Sequence, residues 1–166
     1  LPGILEVPLE RKCTVILSVG CDIPRKNPLA VWKTEVVLRG RDRNADNRQT
    51  KGYGEEDQAH MLALLRAARS FLITTPSGKP AIIAEYPWFG SWGRDTLIAL
   101  PGLCFCTGRI GEGIEILTEI GRHEKDGLLP NFFSADGTPQ AYNSVDASLW
   151  YFWAVQELLR TTADKS

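Results

Sequence analysis

Residues 86–96 read Tyr86-Pro87-Trp88-Phe89-Gly90-Ser91-Trp92-Gly93-Arg94-Asp95-Thr96. Four aromatics, an arginine and an aspartate fall within eleven residues, beside two glycines. Flat aromatic faces suit the C–H faces of sugar rings. A guanidinium and a carboxylate supply donors and a charged acceptor for vicinal hydroxyls. Glycine lets backbone and ligand approach closely. On composition alone a blander reading is stronger: an aromatic turn in the core, with Asp95 as a helix N-cap paired to Arg94.

Downstream, Asp126-Gly127-Leu128-Leu129-Pro130-Asn131-Phe132-Phe133 leads to Tyr142-Asn143-Ser144-Val145-Asp146. The stretch from Lys125 to Asn143 is rich in Gly, Pro, Asn and Asp and reads as a long loop. Loops of this length without structure of their own are often functional. It delivers Asn143 and Asp146 to the start of an aromatic-rich helix, read from Ala147 to Arg160 with Leu149, Trp150, Phe152, Trp153 and Leu159 on its apolar side. Asp146 or Ser144 can cap that helix. Two such polar-aromatic loops on one rim would make a carbohydrate cleft.

Further helices flank the first segment. Glu55, Glu56 and Asp57 suit the positive end of a helix dipole, and Arg66 and Arg69 the other end. Between them Met61, Leu64, Leu65, Ala68 and Leu72 recur at three- and four-residue spacing. Ile114, Ile116, Leu117 and Ile120 predict a helix over 110–122. The stretch from Thr96 to Phe105 is harder to assign, because Pro101 breaks or kinks a helix. Ala81–Ala84 is an apolar run too short to assign by period.

The first third differs. Cys13, Val15, Leu17 and Val19 alternate with Thr14, Ile16 and Ser18, the period of a strand. Residues 4–7 and 34–38 are weaker strand candidates, although the second could open a helix; Pro24, Asn27 and Pro28 mark turns between them. From Arg39 to Asp57, ten of nineteen residues are charged, and this reads as an exposed connection.

Composition excludes several classes. With 43% hydrophobic and 23% charged residues, the chain is neither disordered nor of low complexity. A net charge of -1 argues against a nucleic-acid partner, and no apolar run approaches the roughly 20 residues of a membrane span. Cys104 and Cys106 lie in an apolar stretch far from His60 and His123, so buried reduced thiols are favoured over a metal site. Reduced thiols fit a cytoplasmic compartment. Beginning Leu1-Pro2-Gly3, the chain is expected to be an internal piece of a longer protein.

The segment Tyr86–Phe89 with Trp92–Leu103 resembles the central motif of glycogen debranching enzymes. Gly127–Asn131 and Tyr142–Trp150 resemble the motifs that follow it, in the same order and at similar spacing. The region concerned is the amylo-α-1,6-glucosidase part, so the resemblance implies a mainly α fold, part of an (α/α)6 toroid, over residues 58–166. Residues 1–38 would be the tail of a preceding β-rich domain and 39–57 a connection. The implied substrate is glycogen or another branched α-glucan, hydrolysed at α-1,6-linked glucosyl branches without cofactor or metal.

The resemblance also assigns roles. Tyr86, Trp88, Phe89, Trp92, Arg94, Asp95, Asn131, Asn143 and Asp146 would bind substrate. Asp95 would support catalysis by holding a distorted ring. The acid and base of an inverting glycosidase are expected in segments beyond Ser166. Two residues depart from the pattern: Glu85 stands where glycine is usual, and Phe132 where arginine usually follows Pro-Asn. Other readings are a non-catalytic α-glucan-binding module, a same-fold glycosidase for another glucoside, and a structural fragment in which Arg94 and Asp95 are only an ion pair. An incomplete toroid would leave apolar faces uncovered, so self-association is expected.

Overall fold

A computed structural model describes residues 15–16, 27–85 and 90–163. The chain divides into two compact units, 1–51 and 52–166. The strand candidate at 4–7 lies outside the described residues. So does that at 13–19, apart from Val15 and Ile16, which have no regular structure.

In the first unit, α1 spans Pro28–Gln49. This corrects two expectations: residues 34–38 are helical, and the charged connection is helical as far as Gln49. Asn27 and Pro28, read as turn residues, are the start signal of this helix. The Asn27 side chain accepts a hydrogen bond from the Leu29 N–H at 2.9 Å, and Pro28 occupies the first turn, where its missing N–H costs nothing. The charges fall at helical spacing, as in the Glu35–Arg39 pair at 2.7 Å.

The second unit begins with α2, Glu55–Ser70, whose first turn holds the three acidic residues. Its apolar face is narrower than the spacing predicts: Leu65 is buried, whereas Leu64 is 64% exposed. Strand β1, Leu72–Thr74, pairs with β2, Pro80–Ile82, in antiparallel register, so the short apolar run at 81–84 is partly strand. Helix α3, Gly93–Leu100, continues directly into a π-helical turn, Pro101–Phe105. This resolves the difficulty at Pro101. The wider turn bonds the Cys106 N–H to the Pro101 carbonyl at 2.9 Å, so the proline is absorbed without ending the helix.

Helix α4, Ile110–Arg122, buries Gly113, Ile116, Leu117 and Ile120, while Ile114 faces outward. The long loop after it is structured, which corrects its reading as irregular. Asp126 (φ 53°) and Gly127 (φ 81°) make a left-handed two-residue turn, with Lys125 and Leu128 exchanging backbone hydrogen bonds at 2.9 Å. Strands β3, Phe132–Phe133, and β4, Pro139–Ala141, then pair antiparallel. Helix α5, Asp146–Ala163, completes the described residues.

Single backbone bonds join the two hairpins through residues 90–93. The Ala84 N–H donates to the Gly90 carbonyl (3.0 Å), Phe133 to Ser91 (3.0 Å) and Gly93 to Asn131 (3.0 Å). Beside this ladder sits one core of Ile82, Leu97, Leu100, Cys104, Phe105, Ile116, Leu117, Ile120, Leu129, Phe133 and Ala154. Two glycines of α4 set its close packing. A Cβ at Gly113 would lie 2.5 Å from the Phe105 ring, and one at Gly121 would lie 2.7 Å from the Tyr151 hydroxyl.

The buried side of α5 also needs correction. Ala147 and Ala154 are fully buried, with Trp150, Tyr151, Trp153, Val155 and Leu158 partly so. Val145, Leu149, Phe152 and Leu159 are 62–74% exposed and form a separate apolar stripe. Cys104 is buried, and burial pushes its thiol pKa to about 12; Cys106, expected to be buried, is exposed. No described helix is long and apolar enough to cross a membrane.

Candidate functional site

The site is built where the loop after α4 docks on the N-terminus of α3. Trp92 precedes that helix and has no side-chain cap to offer, so the first N–H groups need partners from elsewhere. Asn131, 37 residues beyond Arg94, supplies two. Its backbone carbonyl accepts from the Gly93 N–H at 3.0 Å, and its Oδ1 accepts from the Arg94 N–H at 3.3 Å. Gly93 permits this approach, because any Cβ there would fall 2.0 Å from the Pro130 carbonyl oxygen.

From Asn131 the contacts run outward. Its Nδ2 donates to Asn143 Oδ1 at 3.1 Å. Asn143 is exposed, three residues before α5 begins. Arg94 Nη1 lies 3.8 Å from Asp146 Oδ2, and both side chains are nearly half exposed. The Ser144 hydroxyl donates to Asp146 Oδ1. That bond, with the Arg94 charge as a smaller help, holds the Asp146 carboxyl below its ordinary value. Trp92 forms a β-bridge with Phe132, and their rings pack at 5.2 Å and 54°. In place of the guanidinium expected after Pro-Asn, Phe132 therefore supports the Trp92 indole.

Two more residues fix the loop. Ser148 Oγ accepts from the Leu129 N–H (3.2 Å) and donates to the Gly127 carbonyl (3.0 Å). Tyr142 Oη donates to the His123 carbonyl at 2.8 Å. Sequence reasoning missed both roles, and no local pattern announces them. The sequence offers Ser144 as a helix cap; its position two residues before Asp146 is the one available signal for the bond it makes.

The structure thus brings together Trp92, Arg94, Asn131, Asn143 and Asp146. Asp95 lies in the first turn of α3, exposed, and is not its N-cap. The ion pair of Arg94 among the described residues is with Asp146, which overturns the Arg94–Asp95 reading. Tyr86, Trp88 and Phe89 lie outside the described residues.

A cavity of about 360 Å³ lies between the two hairpins and α4, lined by Ile82, Ile116, Ile120 and Phe133 with Lys79 and Glu119. None of Arg94, Asn131, Asn143 or Asp146 lines it. Several of its polar groups are already joined to one another, as in Thr75–Ser77 (2.8 Å) and Lys79–Glu119 (4.0 Å). Among the described residues no group of three or more His, Cys, Asp or Glu side chains is placed to hold a metal.

Residues 66–166 match the model of a family described as amylo-alpha-1,6-glucosidase. The chain belongs to this family. It is also 30% identical, over 108 residues and 62% of its length, to the glycogen debranching enzyme of Saccharomyces cerevisiae. It spans 7% of that enzyme's length. The matched residues include the whole rim from Trp92 to Asp146.

Proposed function

We propose that this chain forms one wall of the substrate site of a glycogen-debranching glycosidase, which hydrolyses α-1,6-linked glucosyl branches of glycogen-like α-glucan. The observation that carries the reading is the half-exposed Arg94–Asp146 pair beside Asn143 and the Trp92–Phe132 rings. A loose ion pair at 3.8 Å can open to give the guanidinium N–H donors and the carboxylate acceptor to adjacent hydroxyls of one glucose. Asn143 keeps its Nδ2 for a further hydroxyl, and the indole meets the C–H face of the ring.

The carboxylates on this rim are binding groups. A general acid must hold a proton near neutral pH. Asp146 is held ionised by Ser144 and Arg94, which makes it a poor acid and a weak base. Following the family resemblance, we assign the acid and base to other segments of the parent enzyme, with Asp95 in a supporting role. Helices α2–α5 would be part of an (α/α)6 toroid, a reading supported by the mainly helical second unit and the family match. A cytoplasmic setting is supported by the free thiols of Cys104 and Cys106.

The test is titration of the chain with a maltooligosaccharide, followed by tryptophan fluorescence and calorimetry. Saturable binding that Arg94→Ala weakens by roughly 10- to 100-fold is expected, the scale of a charge-assisted hydrogen bond. Binding that is absent, or indifferent to this substitution, overturns the reading.

A further inference from the structure

Asn131 resembles a sugar ligand in sequence, yet it is only 5% exposed and both ends of its amide are engaged. Its orientation is not ambiguous. A backbone N–H must meet an oxygen, so the atom facing Arg94 N is Oδ1, and the atom facing Asn143 is the Nδ2 donor. That donor in turn selects the amide orientation of Asn143, whose oxygen must point inward to accept. The Asn143 Nδ2, which makes no hydrogen bond among the described residues, is left facing outward.

We propose that Asn131 is a positioning residue that fixes the amide polarity of Asn143, so that the rim presents an N–H donor to the glucan at this point. The inference rests on the function proposed above and adds the way one ligand contact is specified. Asn131 does this while capping α3, so it ties the Arg94 end of the rim to the Asn143 end through a single planar amide. A glucan hydroxyl is both donor and acceptor, but a hydroxyl whose proton is already committed to Asp146 can only accept. Such a hydroxyl needs a donor beside it, and Asn143 supplies one only in this orientation.

The substitution Asn131→Asp separates the two duties. A carboxylate still accepts from the Arg94 N–H, and its charge suits a helix N-terminus, so α3 stays capped. It has no donor, so the Asn143 amide turns over to donate inward and presents its oxygen to the ligand. The experiment is calorimetric titration of maltotetraose into the full 166-residue chain and its N131D, N143A and N131D/N143A variants, with thermal melts of each. Expected is an affinity loss of about tenfold in N131D, the scale of one hydrogen bond, at an unchanged melting temperature. The double variant should lose no more than N143A alone.

Wild-type affinity in N131D, or a double variant whose loss is the product of the two single losses, overturns the inference while leaving the glucan site standing. No binding by the wild-type chain removes the functional reading and the inference with it. An N131D chain that melts early and binds weakly shows that Asn131 serves the fold, which also overturns the inference.

Discussion

The α-carbon of Gly93 sits so close to the Pro130 carbonyl that a single added methyl carbon would lie 2.0 Å from the oxygen. This contact brings two motifs of the sequence, 37 residues apart, into one rim. Gly93→Ala must push the loop away from α3 and break both bonds made by Asn131. We expect a loss of roughly 2–4 kcal/mol, in the range of overpacking plus lost capping, read as a lower urea midpoint. A variant as stable as wild type would mean that the loop is not seated against the helix in this way.

Asp146 makes stability depend on acid pH. Its folded pKa is depressed, first by the Ser144 hydroxyl and then by Arg94, below the ordinary value of 3.8. A depressed carboxyl contributes its stability above the unfolded pKa and loses it as pH falls through the folded value. Melting temperature should therefore be insensitive to this group from pH 7 to about 5 and fall below about pH 4. Asp146→Asn should remove that part of the acid decline, and Ser144→Ala, which returns the folded pKa toward its ordinary value, should shrink it. Identical acid profiles for all three chains would show that the pair does not hold the carboxylate.

The two described cysteines should differ in reactivity. Thiolate is the reactive form, and burial pushes the Cys104 pKa to about 12, while Cys106 is exposed. Iodoacetamide at pH 8 should modify Cys106 in the native chain and Cys104 only after denaturation, as peptide mass mapping would show. Equal labelling would place Cys104 outside the core.

Leu149, Phe152 and Leu159 on α5, with Val145 just before it, leave an apolar stripe that nothing in the described residues covers. We expect the isolated chain to associate with a second copy through it. Sedimentation velocity over a tenfold concentration range should show a rising weight-average mass. Leu149→Glu together with Phe152→Glu should abolish that rise without changing the far-UV spectrum. A monomer at every concentration would show that the stripe is too small to drive pairing.

How far the fold could be read from the residues depended on where the deciding interaction lies in the chain. The helices at 55–70 and 110–122 declare themselves through local spacing and charged ends, and so does the helix from 146. The inner face of the last one does not. Ala147 and Ala154 are buried because a small residue lets neighbouring backbones approach, while larger apolar residues on another face point outward. The charge-rich stretch is exposed as its composition suggests, but its helical form as far as Gln49 is signalled only by Asn27-Pro28. At the site, Trp92, Arg94, Asn143 and Asp146 stand out as candidates only through the family resemblance, since composition alone favours an aromatic turn and helix caps. The partner of Arg94 is not legible, because Asp146 reaches it only through the folded loop. For Asn131, nothing local in the sequence shows that its amide bonds Arg94 and Asn143.

The bonds linking residues 90–93 to 131–133 close a loop that contains α3, the π-helical turn and α4. Closing a loop of this size is opposed by chain entropy, so the bonds gain little until those helices have packed. The rim therefore depends on that packing, and a state with its helices formed and the rim open is the one to test for. Such a state would give a native far-UV spectrum while Trp92 and Phe132 remained apart. Helical content is for this reason a poor measure of binding competence here, and indole fluorescence is the better one.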